Sequence, residues 1–154
     1  MSSVDWSIFR HQSPAEIKKV KSNYEDESLD RIKPKGLYFS PGNDWEKWCK
    51  KIGVSPHTYR HTYAIKSLDD CKIFRLTPSN MEEFCGKYLV RTTSYIPRLN
   101  WNKIKKDYKG IHIPSSLIRY KQYQQDKYGM MWSSYDVETL IVWDKNIVTL
   151  AKIK

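Results

Sequence analysis

Four separated segments of the chain carry polar side chains that could serve a reactive site. They are residues 8–14 (IFRHQSP), 33–49 (KPKGLYFSPGNDWEKWC), 100–114 (NWNKIKKDYKGIHIP) and 134–144 (SYDVETLIVWD). The guanidinium of Arg10 can hold a phosphate through two parallel hydrogen bonds. The carboxylate of Glu138 can stabilise a developing positive charge, and the imidazole of His112 can act as a base. These three side chains are therefore candidates for a binding or catalytic site.

A metal site is an alternative use of the histidines. His57 and His61 are four positions apart, a spacing that suits a metal ion on one face of a helix. Their segment reads as a strand, however, in which positions i and i+4 lie about 13 Å apart. No clear third ligand accompanies them, and the chain contains no phosphate-binding loop, GxGxxG, HExxH or GxSxG motif. Nothing in the sequence therefore requires a metal.

The charge balance predicts an anionic partner. The 154 residues include 27 Lys and Arg against 17 Asp and Glu, which gives a net charge of +10. Such a field attracts nucleic acid, an anionic membrane or phosphate-rich small molecules, although it can also serve solubility alone. The basic residues are spread along the chain rather than gathered in a tail. The sequence therefore predicts no dedicated nucleic-acid-binding arm.

The cysteines and the apolar runs predict the compartment. There are three cysteines, an odd number without a CxxC pair, which argues against a disulfide framework and a structural zinc site. We expect Cys49, Cys71 and Cys85 each to be a small buried side chain. The sequence has no apolar signal core and no run approaching about 18 apolar residues. We therefore expect a cytoplasmic protein without a membrane partner.

The elements that must position the polar residues are strands and short helices in irregular order. Strands are predicted at 4–9, 37–39, 59–65, 72–76, 110–114, 139–143 and 147–153, with a hairpin turn at 144–146. Helices are predicted at 13–21, 43–53, 79–88, 100–108 and 115–128, with a polar loop at 22–30. Trp45 and Trp48 should anchor the core. The pattern favours one α+β domain over residues 1–154, with a mostly antiparallel split sheet flanked by short helices.

Taken together, the four segments resemble a family of mostly uncharacterised bacterial and viral proteins. Those proteins carry a KPxGLW stretch, an acidic-Trp-xx-Trp-Cys helix, an (I/N)-(D/N)-W…YxGIxI stretch and a late WDxxSxxIW stretch. The match covers most of this chain, in the same order. The family in turn resembles a minimal ADP-ribosyltransferase fold, which implies that NAD is a substrate.

The resemblance implies an NAD-binding role for residues of the first two segments. ADP-ribosyltransferases use an Arg or His of the first strand to hold NAD, and either Arg10 or His11 fits. Neighbouring strand residues point to opposite faces, so only one can serve, and we prefer Arg10. Tyr38 and Ser40 share a face and would form the nicotinamide pocket, or else Leu37 and Phe39 would be core residues and Tyr38 a solvated edge. Gly36 would let the backbone approach a ligand, or would simply form a turn.

The resemblance also implies a late acidic residue that stabilises the ribosyl cation. Glu138, directly before the LIVW strand, is the main candidate, and Asp136 lies on the same face two positions earlier. The usual Q/E-x-E doublet is replaced here by Asp-Val-Glu. His112 would be a base on the acceptor side, although a single His on a strand is more often structural. Arg10 and Glu138 could also be ordinary solvated surface groups.

Three functions remain open from the sequence. The first is an NAD-dependent ADP-ribosyltransferase or NAD glycohydrolase that acts on an acidic macromolecular acceptor, either a protein or a nucleic acid. The second is a non-catalytic nucleic-acid-binding domain, favoured by the net charge and by Tyr-rich basic stretches such as residues 118–128. The third is a protein-interaction or inhibitor domain in virus–host or toxin–antitoxin conflict. We prefer the first.

Overall fold

The computed structural model describes residues 4–19, 33–90, 98–119, 132 and 135–154. Within them the strands are β1 (Phe9–Ser13), β2 (Leu37–Pro41), β3 (His61–Leu68), β4 (Ile73–Arg75), β5 (Leu89–Val90), β6 (Arg98–Leu99), β7 (Gly110–Ile113), β8 (Thr139–Val142) and β9 (Val148–Lys152). The α-helices are α1 (Asp44–Ile52), α2 (Met81–Tyr88), α3 (Trp101–Asp107) and α4 (Ser115–Arg119). Short 3-10 turns lie at Trp6–Ile8, Pro56–Tyr59, Asp70–Lys72 and Lys145–Ile147.

Seven of these strands form one curled sheet in the order β4-β7-β8-β2-β1-β3-β9. Neighbouring strands are antiparallel except for β4 and β7, which run parallel. Strands β5 and β6 pair separately with each other. The predicted α+β domain with a mostly antiparallel sheet is therefore confirmed. Among the described residues, no helix has the length and apolar character needed to cross a membrane.

Both sides of the sheet are covered by apolar side chains. On the side that we call the helix side, Ile111 and Ile141 pack with Phe84 of α2 and Trp101 of α3. The buried cluster on the opposite side, the strand side, comes from strands and from the Trp6–Ile8 turn. Because β8 lies between the two clusters, all four of its residues are buried. An apolar run of this kind is typical of a strand that is covered on both faces.

The beginning of the chain differs from the prediction. The expected strand over 4–9 is a 3-10 turn at Trp6–Ile8, and β1 starts at Phe9, where the prediction ended the strand. Asp5 explains the turn, because its side chain accepts a hydrogen bond from the backbone N–H of Ser7. The helix predicted at 13–21 is absent from its described part, residues 13–19. Ser13 belongs to β1 instead, and the loop predicted at 22–30 lies outside the described residues.

The two late strands do not form the predicted hairpin. β8 pairs with β2 and β7, whereas β9 pairs with β3 at the far edge of the sheet. The intervening residues form a 3-10 turn in which Asp144 accepts a hydrogen bond from the backbone N–H of Asn146. This turn carries the chain away from β8 instead of reversing it alongside β8. The prediction of two apolar strands was correct, but the assumption that strands adjacent in sequence pair with each other was wrong.

The helix ends agree with the sequence in part. Gly53 follows α1 with a φ of 79°, a left-handed conformation that suits glycine. Asn100 caps α3 by accepting a hydrogen bond from the backbone N–H of Lys103. The capping box expected at Ser79 does not form, because α2 begins after Asn80, whose side chain makes no capping bond to the helix. Asn80 instead accepts a hydrogen bond from the backbone N–H of Thr77.

Two expectations about buried side chains were wrong. Cys49 and Cys85 are fully buried, but Cys71 is exposed in the Asp70–Lys72 turn, and none of the three forms a disulfide within the described structure. Trp45 and Trp48 are half-buried, so the buried residue of α1 is Cys49. The rings of α1 are therefore partly available at the surface rather than sealed in the core.

Candidate functional site

A cavity of about 300 Å³ opens on the helix side of β1, β2 and β8. Small-molecule sites usually measure about 300–1,000 Å³, so the cavity can take a small organic group but not a folded partner. Twelve described residues line it: Arg10, His11, Gln12, Lys33, Tyr38, Phe39, Ser40, Trp45, Tyr135, Asp136, Val137 and Thr139. Four of the predicted site residues are among those that contribute from strands, namely Arg10, His11, Tyr38 and Ser40.

Strand register brings three predicted residues onto one face. Arg10 of β1 is paired directly with Ser40 of β2, so both side chains point to the helix side. Tyr38 lies two residues before Ser40 and shares that face. Alternation along a strand, which the sequence analysis used, therefore predicted this part of the cavity correctly.

The guanidinium of Arg10 is anchored at one end. Its Nη1 donates to the backbone carbonyl of Ser7 at 2.6 Å and to that of Phe9 at 3.0 Å. Arginine has five N–H donors. The remaining donors, on Nη2 and Nε, have no hydrogen-bond partner among the described residues. One edge of a fixed guanidinium is thus free for a ligand.

His11 borders the cavity but points its ring to the strand side. The ring lies between Phe39 and Tyr63, with centroid distances of 5.7 and 6.4 Å. Its Nδ1 lies 2.7 Å from the carbonyl oxygen of Tyr38, which can only accept, so Nδ1 carries the proton. Burial lowers the pKa of His11 below 6.5, although the bond to Tyr38 partly offsets this effect. His11 is therefore a neutral group that supports β2 from behind the cavity.

Tyr38 and Gly36 are engaged by the protein itself. The hydroxyl of Tyr38 donates to the carbonyl of Pro34, and its ring packs against the helix-side cluster. Gly36 does not line the cavity. A Cβ at this position would lie 2.8 Å from Cγ2 of Ile141 and 2.9 Å from the carbonyl oxygen of Val142. The missing side chain therefore allows β2 to approach β8, rather than allowing the backbone to approach a ligand.

The two candidate carboxylates occupy different positions. Asp136 is exposed and lines both this cavity and a second one of about 340 Å³, which also contacts α1 and α4. Glu138 lines only the second cavity. The reason is alternation, because Thr139 begins β8 with its side chain toward the first cavity and Glu138 precedes it. Asp136 is therefore the carboxylate of the first cavity.

His112 is hydrogen-bonded to Glu138 away from the first cavity. Its Nε2 lies 2.9 Å from Oε2 of Glu138, and its side chain is almost completely buried. The ring contacts Trp6 and Phe9 edge-on, at centroid distances of 5.2 and 5.9 Å. His112 thus lies on the strand side, because it pairs in register with Leu140. Of the three predicted catalytic residues, Asp136 alone lines the first cavity, whereas Glu138 contacts His112 and lines the second cavity with Asp136.

Sequence reasoning missed several residues of the cavity. Gln12 could have been found, because it lies two positions after Arg10 on β1 and so shares its face. Lys33 and Tyr135 gave no signal, since neither belongs to a regular element. The Lys33 ammonium lies 4.8 Å from the centre of the Tyr135 ring. For Trp45 the sequence predicted packing in the core rather than a place in the cavity.

Two of the cavity residues carry buried polar atoms without a partner. Within the described structure, Oε1 of Gln12 and the hydroxyl of Tyr135 make no hydrogen bond. Tyr135 is 2% exposed. Burial raises the pKa of its phenol well above 10, so the hydroxyl keeps its proton. A buried polar group without a partner is unusual in a folded protein and points to a function or a bound molecule.

A metal site is not formed by the residues that the structure describes. No group of three or more His, Cys, Asp or Glu side chains among them is arranged to hold a metal ion. His57 lies in the Pro56–Tyr59 turn and His61 begins β3, so they do not share a helix face.

Comparison with known proteins adds no identification. No protein-family model, no curated protein and no solved structure has a significant match to this chain.

Proposed function

We propose that the first cavity binds NAD and that the protein is an NAD-dependent ADP-ribosyltransferase or NAD glycohydrolase. The observation that supports this most strongly is the convergence of Arg10, Tyr38 and Ser40 on one face of β1 and β2. They surround a cavity that Asp136 also borders. Such a site offers a phosphate-binding cation, an aromatic wall and a carboxylate within one small volume.

Binding would depend mainly on Arg10. The free edge of its guanidinium carries N–H groups in the planar arrangement that matches two phosphate oxygens. Nη1 is already fixed to two backbone carbonyls, so little conformational freedom remains to be lost on binding. The ring of Tyr38, fixed through its hydroxyl to Pro34, would flank the nicotinamide, and Ser40 would supply a hydroxyl beside it.

Cleavage would break the bond between the nicotinamide nitrogen and C1′ of the ribose. The bonding electrons leave with the nicotinamide, which becomes neutral, and positive charge develops on the ribose. Asp136 would stabilise that charge, since it is the carboxylate that lines this cavity. A nucleophile then bonds to C1′ and loses its proton, giving ADP-ribose if it is water or a conjugate if it is an acceptor. The role first expected of Glu138 passes to Asp136 in this proposal.

The acceptor class follows from charge. The net charge of +10 would favour an acidic macromolecule over a basic one. Asp136 also lines the second cavity, so an acceptor group bound there would lie next to the same carboxylate.

Thermal unfolding with and without NAD tests the proposal. A ligand at about 100 times its dissociation constant stabilises the native state by about 2.7 kcal/mol, a shift of several degrees in Tm. We expect this shift in the wild type and its loss in Arg10→Ala. Arg60→Ala is the matched control, because Arg60 is exposed and does not line the cavity.

The opposite results would be equally informative. No shift at saturating NAD in the wild type would refute NAD binding. A shift that survives in Arg10→Ala but not in Arg60→Ala would place the phosphate contact elsewhere.

A further inference from the structure

Two residues that line the cavity each carry a buried polar atom that has no hydrogen-bond partner within the described structure. One atom is Oε1 of Gln12, and the other is the hydroxyl oxygen of Tyr135. Both residues line the same cavity of about 300 Å³. Isolated buried polar atoms are costly, and two of them in residues that line one small cavity indicate that a ligand supplies the missing hydrogen bonds.

The hydrogen-bonding roles of the two atoms follow from their surroundings. Nε2 of Gln12 donates to Oγ1 of Thr62 at 3.5 Å, which leaves Oε1 as the acceptor. The hydroxyl of Tyr135 keeps its proton, because burial raises its pKa well above 10. Gln12 therefore offers a hydrogen-bond acceptor, and Tyr135 offers a donor.

The two side chains are also held in place. Gln12 belongs to β1, where it pairs in register with Thr62 of β3. The Tyr135 ring stacks on Trp132, with centroids 6.1 Å apart, and the Lys33 ammonium lies over the ring. Neither group can turn toward bulk solvent without disturbing these contacts.

We propose that Gln12 and Tyr135 recognise the carboxamide of nicotinamide and select NAD over its nicotinic-acid analogue. This inference rests on the proposed function. A primary carboxamide offers an oxygen that accepts from Tyr135 and an N–H that donates to Gln12. A carboxylate has no N–H for Gln12, and its negative charge would face the lone pairs of Oε1.

Binding affinities for three ligands test the inference: NAD, nicotinic acid adenine dinucleotide and ADP-ribose, which lacks the base. They are measured by titration calorimetry with the wild type, Tyr135→Phe and Gln12→Met. One hydrogen bond is worth about a factor of ten in affinity. The wild type should bind NAD at least about tenfold more tightly than the acid analogue. Each variant should lose about tenfold for NAD and nothing for ADP-ribose.

Tyr88→Phe is the matched control. Tyr88 is a buried tyrosine of the helix-side cluster, and it does not line the cavity. Its hydroxyl already has a partner, because it donates to Asp107. This variant should bind all three ligands as the wild type does. If Tyr135→Phe fails to fold by circular dichroism, Gln12→Met alone still decides the question.

The results separate the two proposals. If neither NAD nor ADP-ribose binds the wild type, the proposed function fails and this inference fails with it. If both bind but the acid analogue binds as tightly as NAD or more tightly, only the carboxamide inference is overturned. Gln12 would then present its N–H2 group to the ligand, or Lys33 would pair with the carboxylate. Unchanged selectivity in both variants would also overturn it.

Discussion

The two sides of the sheet differ in whether their buried polar groups have hydrogen-bond partners. On the strand side, His112 is almost completely buried, yet its Nε2 meets the carboxylate of Glu138 at 2.9 Å. On the helix side, the hydroxyl of Tyr135 is equally buried and has no partner within the described structure. A satisfied pair stabilises the fold, whereas unsatisfied atoms lower stability and are retained where a ligand can complete them.

The carboxylates allow the sharpest test of this difference. Asp136→Asn should lower the rate of nicotinamide release from NAD by about 100-fold, because the amide cannot neutralise the ribosyl cation. Glu138→Gln should retain most of the rate, since Glu138 does not line the NAD cavity. Chromatographic measurement of released nicotinamide gives both rates. A larger loss in Glu138→Gln than in Asp136→Asn would restore Glu138 as the catalytic carboxylate and contradict the division of roles.

Glu138 should matter for the stability of the fold rather than for the rate of NAD cleavage. Glu138→Ala should lower the free energy of unfolding by about 1–3 kcal/mol, because it leaves buried His112 without its partner. Urea denaturation provides the measurement. The control is Glu16→Ala, which breaks an ion pair with Lys152 whose side chains are about half exposed, and such pairs contribute about 0–1 kcal/mol. Equal losses in the two variants would show that the buried His112–Glu138 pair contributes no more to the free energy of unfolding than an exposed ion pair does.

Removing the hydroxyl of Tyr135 should stabilise the unliganded protein. Tyr135→Phe eliminates a buried polar atom without a partner, so we expect a gain of about 1 kcal/mol in the free energy of unfolding. Tyr88→Phe should cost about 1 kcal/mol, because that hydroxyl donates to Asp107. Denaturation without NAD compares the two. A loss in both variants would mean that the Tyr135 hydroxyl has a partner in solution.

The smallest effect concerns pH and the residue behind the cavity. The pKa of His11 is lowered from 6.5 in the folded state, so the unfolded chain binds a proton more readily. The contribution of neutral His11 is therefore complete above about pH 6.5 and decreases as the pH falls below it. The Tm of the wild type should fall more steeply below pH 6.5 than that of His11→Gln. His57→Gln, which removes an exposed histidine, should follow the wild type. Parallel curves of Tm against pH for all three proteins would exclude His11 as the cause of the loss of stability below pH 6.5.

The sequence predicted those features that depend on local rules. Alternation along β1 and β2 was enough to bring Arg10, Tyr38 and Ser40 to one face. The cap at Asn100 and the helix end at Gly53 follow from side-chain chemistry and backbone geometry over a few residues. Such signals are contained in a short window, so they do not require knowledge of the tertiary structure.

The missed features depend on exact register or on distant pairing. Glu138 was expected in the site, but it precedes Thr139, whose side chain faces the first cavity, so by alternation Glu138 lies on the other face. Tyr135 lies outside any regular element, so only the folded structure brings it to Gln12. The pairing of β9 with β3 is invisible in the local pattern, which favoured a hairpin with β8.

The position of β9 at the sheet edge has a consequence during synthesis. Ser67 of β3 and Thr149 of β9 are hydrogen-bonded across a separation of 82 residues. During synthesis β3 therefore emerges from the ribosome long before β9, and the edge of β3 that pairs with β9 stays unpaired until β9 follows. Exposed edges attract other chains, and pairings between distant segments form slowly. The edge of β3 is thus open to pairing with other chains in the interval between the synthesis of these two strands.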